Sequence, residues 1–184
     1  MSAVSILKNG GVGVLPTDTL YGVVASALIK NAVARLYLLR RKTSSKPFIV
    51  LIADTAMLRR FGVQLEELEQ QFLKKVWPGP VSVILTVPSN RFAYLHKGKK
   101  TLAFRIPAQS GFRAFLKKTG PLLAPSANPE GLPPATTIRD AKAYFGDKVD
   151  FYVASKQRLS GLPSTLVSLK GGSVRVLRKG SGKI

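Results

Sequence analysis

"GGVGVLPTDTLYG", residues 10–22, runs a short apolar stretch into Pro16-Thr17-Asp18-Thr19 and closes on Tyr21-Gly22. "GVGVLP" reads as a short buried strand. The two hydroxyls and one carboxylate that follow exceed what a turn requires. Taken alone, Thr17 or Asp18 caps the turn. The other reading is that the strand tip offers these groups to a ligand.

Outward from this stretch, the pattern switches repeatedly between strand and helix. "NAVARLYLLRR" carries Val33, Leu36, Tyr37 and Arg40 at helical spacing and ends basic, as a helix C-terminus prefers. "FIVLIA" is a continuous apolar run suited to a strand covered on both faces. "QLEELEQQFLKKVWPGP" is a helix with a stripe of Leu65, Leu68, Phe72 and Val76, leading acids, trailing lysines and a Pro-Gly-Pro stop. "VSVILTV" and "LAFRI" read as strands, "GFRAFLKKTG" as a helix, and "PLLAPSAN" as a strand entering a polar loop. "TTIRDAKAYFG" is a threonine-capped helix, and "DFYVA", "STLVSL" and "VRVLR" are closing strands. Late strands follow one another directly, so the expectation is an α/β fold around a mixed sheet. The length of 184 residues suits one domain spanning 1–184.

Charge narrows the function classes. Lys and Arg number 29 against 9 Asp and Glu, a net charge of +20. That excess implies a polyanionic partner, such as nucleic acid or nucleotide phosphates. There is no cysteine, and His96 is the single histidine, which excludes thiolate sites, a Ser-His-Asp triad and a His-rich metal centre. Pro16 stands where a dinucleotide fingerprint needs its third glycine, and "KGSGKI" lacks the spacing of a P-loop. No acid pair suggests a metal or glycosidase site, so no metal ligands are assigned. No apolar run reaches membrane-spanning length and no signal peptide opens the chain, so a cytoplasmic protein without membrane association is expected.

Four polar clusters remain at predicted element ends: Thr17-Asp18-Thr19, "RRKTSSKP" (40–47), "APSANPEG" (124–131) and "PST" (163–165). Arg105 adds a cation inside an apolar strand, costly unless it meets an anion or points out of the sheet. Hydroxyl donors and cations together suit phosphate or carboxylate binding. Each cluster alone is more simply a cap, a solvated helix end or a loop.

In order, "PTDTLYG", "KPFIVLI", "WPGPVSVIL", "FRIPA", "APSANPEG", "PSTLV" and "VLRKG" resemble the YrdC family, the threonylcarbamoyl-AMP synthases, over about residues 10–180. The resemblance implies a twisted mixed sheet of the YrdC type with flanking helices and a basic concave cavity. It implies a nucleotidyltransferase that makes threonylcarbamoyl-AMP and pyrophosphate from L-threonine, bicarbonate and ATP, with Mg2+ carried by ATP. The product would serve N6-threonylcarbamoyladenosine modification of tRNA position 37, which makes tRNA and the threonylcarbamoyl-transfer complex the expected partners. Position by position, Thr19, Arg105, Ala124 and Ser164 match residues around threonine, with Arg105 holding its carboxylate, ideally as a bidentate pair. Lys42, Lys46, Thr101, Ser126 and Arg178 match ATP-binding positions, and Arg40, Lys42, Ser126 and Asn128 match the catalytic set. The family's Lys-x-Arg is here Arg40-Arg41-Lys42, Pro134 replaces a common serine, Leu51 stands where some members have histidine, and Lys179 replaces a common proline. A second class compatible with the residues is a YrdC-fold RNA-binding protein (tRNA or rRNA) without synthase activity, motivated by the charge.

Overall fold

The computed structural model of the chain describes residues 1–41, 47–155, 161–170 and 173–184. β1 (Val12–Pro16) and β2 (Tyr21–Ser26) form an antiparallel hairpin in the register Val12↔Ala25 through Pro16↔Tyr21. Its tip is Thr17 to Leu20. Every residue of β2 is buried. "YGVVAS" therefore lacks the alternation that marks a half-exposed strand, and the sequence reading does not separate it from the turn.

The remaining strands are β3 (Val50–Leu51), β4 (Val81–Thr86), β5 (Thr101–Arg105), β6 (Leu122–Leu123), β7 (Phe151–Tyr152), β8 (Thr165–Lys170) and β9 (Ser173–Arg178). Among the described residues they join in one sheet of order β7-β1-β2-β6-β3-β5-β4-β8-β9. The β7–β1, β3–β5 and β4–β8 joints are parallel and the others antiparallel. The expected mixed sheet is what forms. Three predicted strands are shorter than their apolar runs: "FIVLIA", "PLLAPSAN" and "DFYVA" each contribute only two laddered residues. Apolar composition reports burial, whereas ladder pairing depends on the neighbouring strand.

Among the described residues six α-helices flank the sheet: α1 (Ala3–Lys8), α2 (Lys30–Leu39), α3 (Glu67–Val76), α4 (Ala93–His96), α5 (Ser110–Thr119) and α6 (Ile138–Phe145). α6 begins with the expected threonine cap. Asp140 N–H donates to Thr137 Oγ1 at 3.1 Å, and Thr137 N–H donates back to Asp140 Oδ2 at 2.9 Å. α3 has its own capping box through Glu66 and Glu69, and Lys74 and Lys75 close it. Its inward face differs from the expected stripe. Leu73 and Trp77 are the buried residues, Leu65, Phe72 and Val76 are half-buried, and Leu68 is 59% exposed. The helix starts at Glu67 and turns the 69-73-76-77 side toward the core, which leaves Leu68 on the outer flank.

The two faces of β5 place the site. Phe104 points into the core against Phe61, ring centroids 5.1 Å apart, and Phe61 also meets Phe92 at 5.0 Å. With the strand period of two, Thr101, Ala103 and Arg105 occupy the opposite face. Leu73→Ala should lower unfolding stability by about 2–5 kcal/mol in urea titration. Leu68→Ala should stay within about 0.5 kcal/mol; the reverse ranking would contradict this orientation of α3.

Candidate functional site

The uncovered faces of five neighbouring strands make a continuous floor. Leu51 pairs with Arg105 across β3–β5, and Ala103 pairs with Ile84 across β5–β4. Beyond them, Leu166 on β8 stands opposite Arg178 on β9. That last pairing needs a bulge, because Leu166 faces Arg178 while Val167 faces Val176, leaving Leu177 as the extra residue. The bulge turns the end of β9 so that both Leu177 and Arg178 reach the cavity.

Two loops raise the walls. At the hairpin tip, Thr17 Oγ1 donates to Leu20 O at 2.7 Å and accepts the amides of Thr19 and Leu20, each at 3.2 Å. Thr17 is thus the turn-former, and the Thr19 hydroxyl lies 3.2 Å from that of Thr17. The segment after β6 runs beside β2: Val23 N–H donates to Pro125 O at 3.0 Å, and Ala127 N–H to Tyr21 O at 2.8 Å. Gly22 sits close against this turn, since a Cβ would lie 3.1 Å from Thr17 Cγ2 and push it by a few tenths of an ångström.

The cavity so enclosed is about 670 Å³, within the roughly 300–1,000 Å³ usual for ligand sites. Thr19, Arg40, Thr101, Arg105, Ala124, Ser126, Ser164 and Arg178 all line it. Residues up to 159 positions apart in the sequence (178 − 19) therefore share one hollow. Its described lining contains Arg40, Lys99, Arg105 and Arg178 and no Asp or Glu. Grooves of about 600 and 360 Å³ elsewhere gather none of these eight residues. Lys42 and Lys46 lie outside the described residues. Asn128 does not line the cavity; its Nδ2 donates to Pro129 O at 2.9 Å and Leu132 O at 2.6 Å, which shapes the loop carrying Ser126.

Each cation is held differently. Arg40, just past the end of α2, is 8% exposed and donates from Nη1 to Ser126 O at 2.6 Å and Ser126 Oγ at 3.2 Å. Burial lowers its pKa, and the charge of Glu130 opposes that shift. Arg178 donates to Ser164 O from Nη2 at 2.9 Å and from Nε at 3.3 Å. Ser164 Oγ lies 2.8 Å from Ser82 Oγ, both buried, so the hydroxyl is fixed from beneath as well. The tail clamps the same loop: Ser181 N–H donates to Pro163 O at 2.9 Å, and a Cβ on Gly180 would lie 2.3 Å from that oxygen.

Arg105 is 4% exposed, and its Nη1 lies 3.0 Å from Asp18 Oδ1. Burial lowers the Arg105 pKa, Asp18 opposes the shift and the like charge of Arg178 adds to it. A guanidinium nevertheless stays charged in proteins. The sequence requirement that this cation meet an anion is satisfied by the chain itself, 87 residues away (105 − 18). Nε and Nη1 are closed off from solvent, so this guanidinium does not present a two-nitrogen edge to the cavity as a bidentate pair would need. The sequence reading missed Asp18 as its partner. It also missed Tyr21, Phe48 and Lys99 in the lining. His96 is the buried last residue of α4, and its Nδ1 accepts the Gly98 amide at 3.2 Å.

With this geometry in view, the family follows. The profile of the Sua5/YciO/YrdC family, described as "Telomere recombination", matches residues 5–180, and the chain belongs to that family. The threonylcarbamoyl-AMP synthase of Cellvibrio japonicus is 32% identical over 94% of this chain and 92% of its own length. Among solved structures, P. abyssi Sua5 complexed with L-threonine aligns with a TM-score of 0.88 and 28% identity, covering 97% of this chain and 53% of that one. The chain thus spans about half the length of that protein. E. coli YciO aligns with a TM-score of 0.85 and 25% identity, covering 98% of this chain and 88% of that one.

Asp18→Asn would leave Arg105 as a buried cation without its counter-charge. It should cost about 3–5 kcal/mol of unfolding stability. A melting temperature equal to that of the wild type would contradict the pairing.

Proposed function

We propose that the protein is an L-threonylcarbamoyladenylate synthase, condensing L-threonine, bicarbonate and ATP into threonylcarbamoyl-AMP and pyrophosphate. The observation that carries this reading is the convergence of eight separately encoded positions on one cavity, cationic and without acids in its described lining, in a member of this family. The name of the Cellvibrio relative and the threonine held by P. abyssi Sua5 support the same chemistry.

The reaction suits a site without histidine or cysteine. Threonine's amine attacks bicarbonate and water leaves, giving a carbamate. A carbamate oxygen then forms a bond to the α-phosphorus of ATP as the bond to pyrophosphate breaks. The substrates supply their own nucleophile, so this nucleotidyl transfer asks the protein for position and charge neutralisation. Arg105 offers the charge for the threonine carboxylate through a single nitrogen edge. The hydroxyls of Thr19 and Ser164, with Ala124, frame the rest of the amino acid. Arg40 acts mainly through Ser126, whose carbonyl and hydroxyl it fixes, while Thr101 and Arg178 face the nucleotide. Lys42 and Lys46 would meet the phosphates from the segment after α2. Asn128 supports the Ser126 loop from outside the cavity.

Among the described residues no group of three or more His, Cys, Asp or Glu could hold a metal ion. Mg2+ would therefore be held by the ATP phosphates and neutralise charge on departing pyrophosphate, with no protein ligand assigned. Residues 1–184 would work as one YrdC-like unit. The product would pass to the tRNA threonylcarbamoyl-transfer complex, and the net charge of +20 suits contact with tRNA. No described helix is long and apolar enough to cross a membrane, consistent with work in the cytoplasm. RNA binding without synthesis finds no support in the names of the relatives.

Protein incubated with ATP and bicarbonate should release pyrophosphate only when L-threonine is present. Absence of threonine-dependent release from folded protein would remove the synthase reading. Arg178→Ala, on the exposed edge strand, should raise the KM for ATP roughly tenfold or more through loss of a charged donor. An unchanged KM would take Arg178 out of the nucleotide site.

A further inference from the structure

Arg105 is the side chain assigned above to the threonine carboxylate, yet the fold already places a carboxylate beside it. The side chains of Arg105 and Asp18 are 5% and 6% exposed, with Nη1 and Oδ1 3.0 Å apart. The contact satisfies charge without satisfying hydrogen bonding. Among the described residues, Arg105 Nε and Nη1 and Asp18 Oδ1 have no hydrogen-bond partner of good geometry. Asp18 is fixed from elsewhere, since its Oδ2 accepts the Ala108 amide at 3.1 Å. A carboxylate that served to aim the guanidinium would hold it through aligned N–H···O bonds. Here Nε and Nη1 lack that alignment.

The surrounding charge gives the contact its role. Arg40, Lys99, Arg105 and Arg178 line the cavity with no acid among the described lining residues. A guanidinium this deep is costly without compensation. Asp18, just behind the lining, supplies the compensating charge. We propose that Asp18 is a resident counter-ion that competes with an incoming carboxylate for Arg105, and so sets the selectivity of the site against simple anions. An anion with nothing but a carboxylate gains little, because Arg105 is already neutralised. An amino acid that also reaches the hydroxyls of Thr19 and Ser164 adds contacts that Asp18 does not oppose. The amino-acid part of this statement rests on the synthase reading, whereas the competition between two anions for one cation does not.

Acetate is the probe, with affinity measured by calorimetric titration of the full chain. Asp18→Asn removes the charge and keeps the shape; it should bind acetate about tenfold more tightly than the wild type even though it is less stable. A purely structural aspartate would lower the melting temperature and leave acetate affinity unchanged or weaker, and that result overturns the proposal. Asp18→Glu covers the case in which the asparagine variant does not fold. Its longer arm keeps the charge and advances it onto the guanidinium, so acetate affinity should fall about tenfold. Unchanged or tighter binding by Asp18→Glu overturns the proposal as well. These are binding measurements, so they stand apart from turnover: acetate results as expected, with no threonine-dependent pyrophosphate release, would remove the synthase reading and leave the assignment of Asp18 in place.

Discussion

A buried positive charge at the end of β5 organises the functional half of this protein. Arg105 leaves the apolar strand "LAFRI" with almost no solvent access, and Asp18 on the β1–β2 turn meets it at 3.0 Å. β1–β2 and β5 belong to different parts of the sheet, separated in strand order by β6 and β3. The ion pair therefore ties the hairpin tip to the middle of the sheet and closes one wall of the cavity. Its enthalpy is offset by desolvation, so it is weak as a source of stability and strong as a constraint. A tip displaced from Arg105 would leave two buried charges unmatched.

Around that pair, the cavity is built by backbone placed under other groups. Arg40 fixes the carbonyl and hydroxyl of Ser126. Arg178 and Ser82 fix Ser164 from two sides, while the tail at Gly180-Ser181 packs against its loop and hydrogen-bonds Pro163 O. Ser126 and Ser164 are thus each held in place by neighbouring side chains of the chain itself. Such preorganisation suits a reaction in which the protein contributes position and charge in place of a nucleophile.

Much of this was legible in the sequence for a specific reason. A cation inside an apolar strand is expensive to bury without purpose, which marks Arg105 in the sequence, while Thr19, Ser126 and Ser164 are picked out of their polar clusters by the family resemblance. Helix ends were legible for the same kind of reason: the Thr137–Asp140 box and the lysines of α3 are local chemistry. What the sequence hid was non-local. Asp18 looked like a turn cap because its partner lies in another strand. Leu177 looked like any strand residue, since a bulge is defined only against β8. Leu68 fitted a helical stripe, but the packing partner of α3 chose the Leu73 side. α1 passed unnoticed because six residues present less than two turns of pattern. Asn128 shared a motif with Ser126 yet points into its own loop, a distinction that spacing alone does not carry.

The central claim is that these separated side chains form one anion-holding hollow that takes both substrates at once. The most direct measurement is a crystal structure of the protein grown with L-threonine and a non-hydrolysable ATP analogue. The account predicts threonine with its carboxylate against Arg105 and its amine toward the α-phosphate, both ligands inside the cavity bounded by Thr19, Ser126, Ser164 and Arg178. Ligands bound at separate surfaces, or threonine away from Arg105, would contradict it.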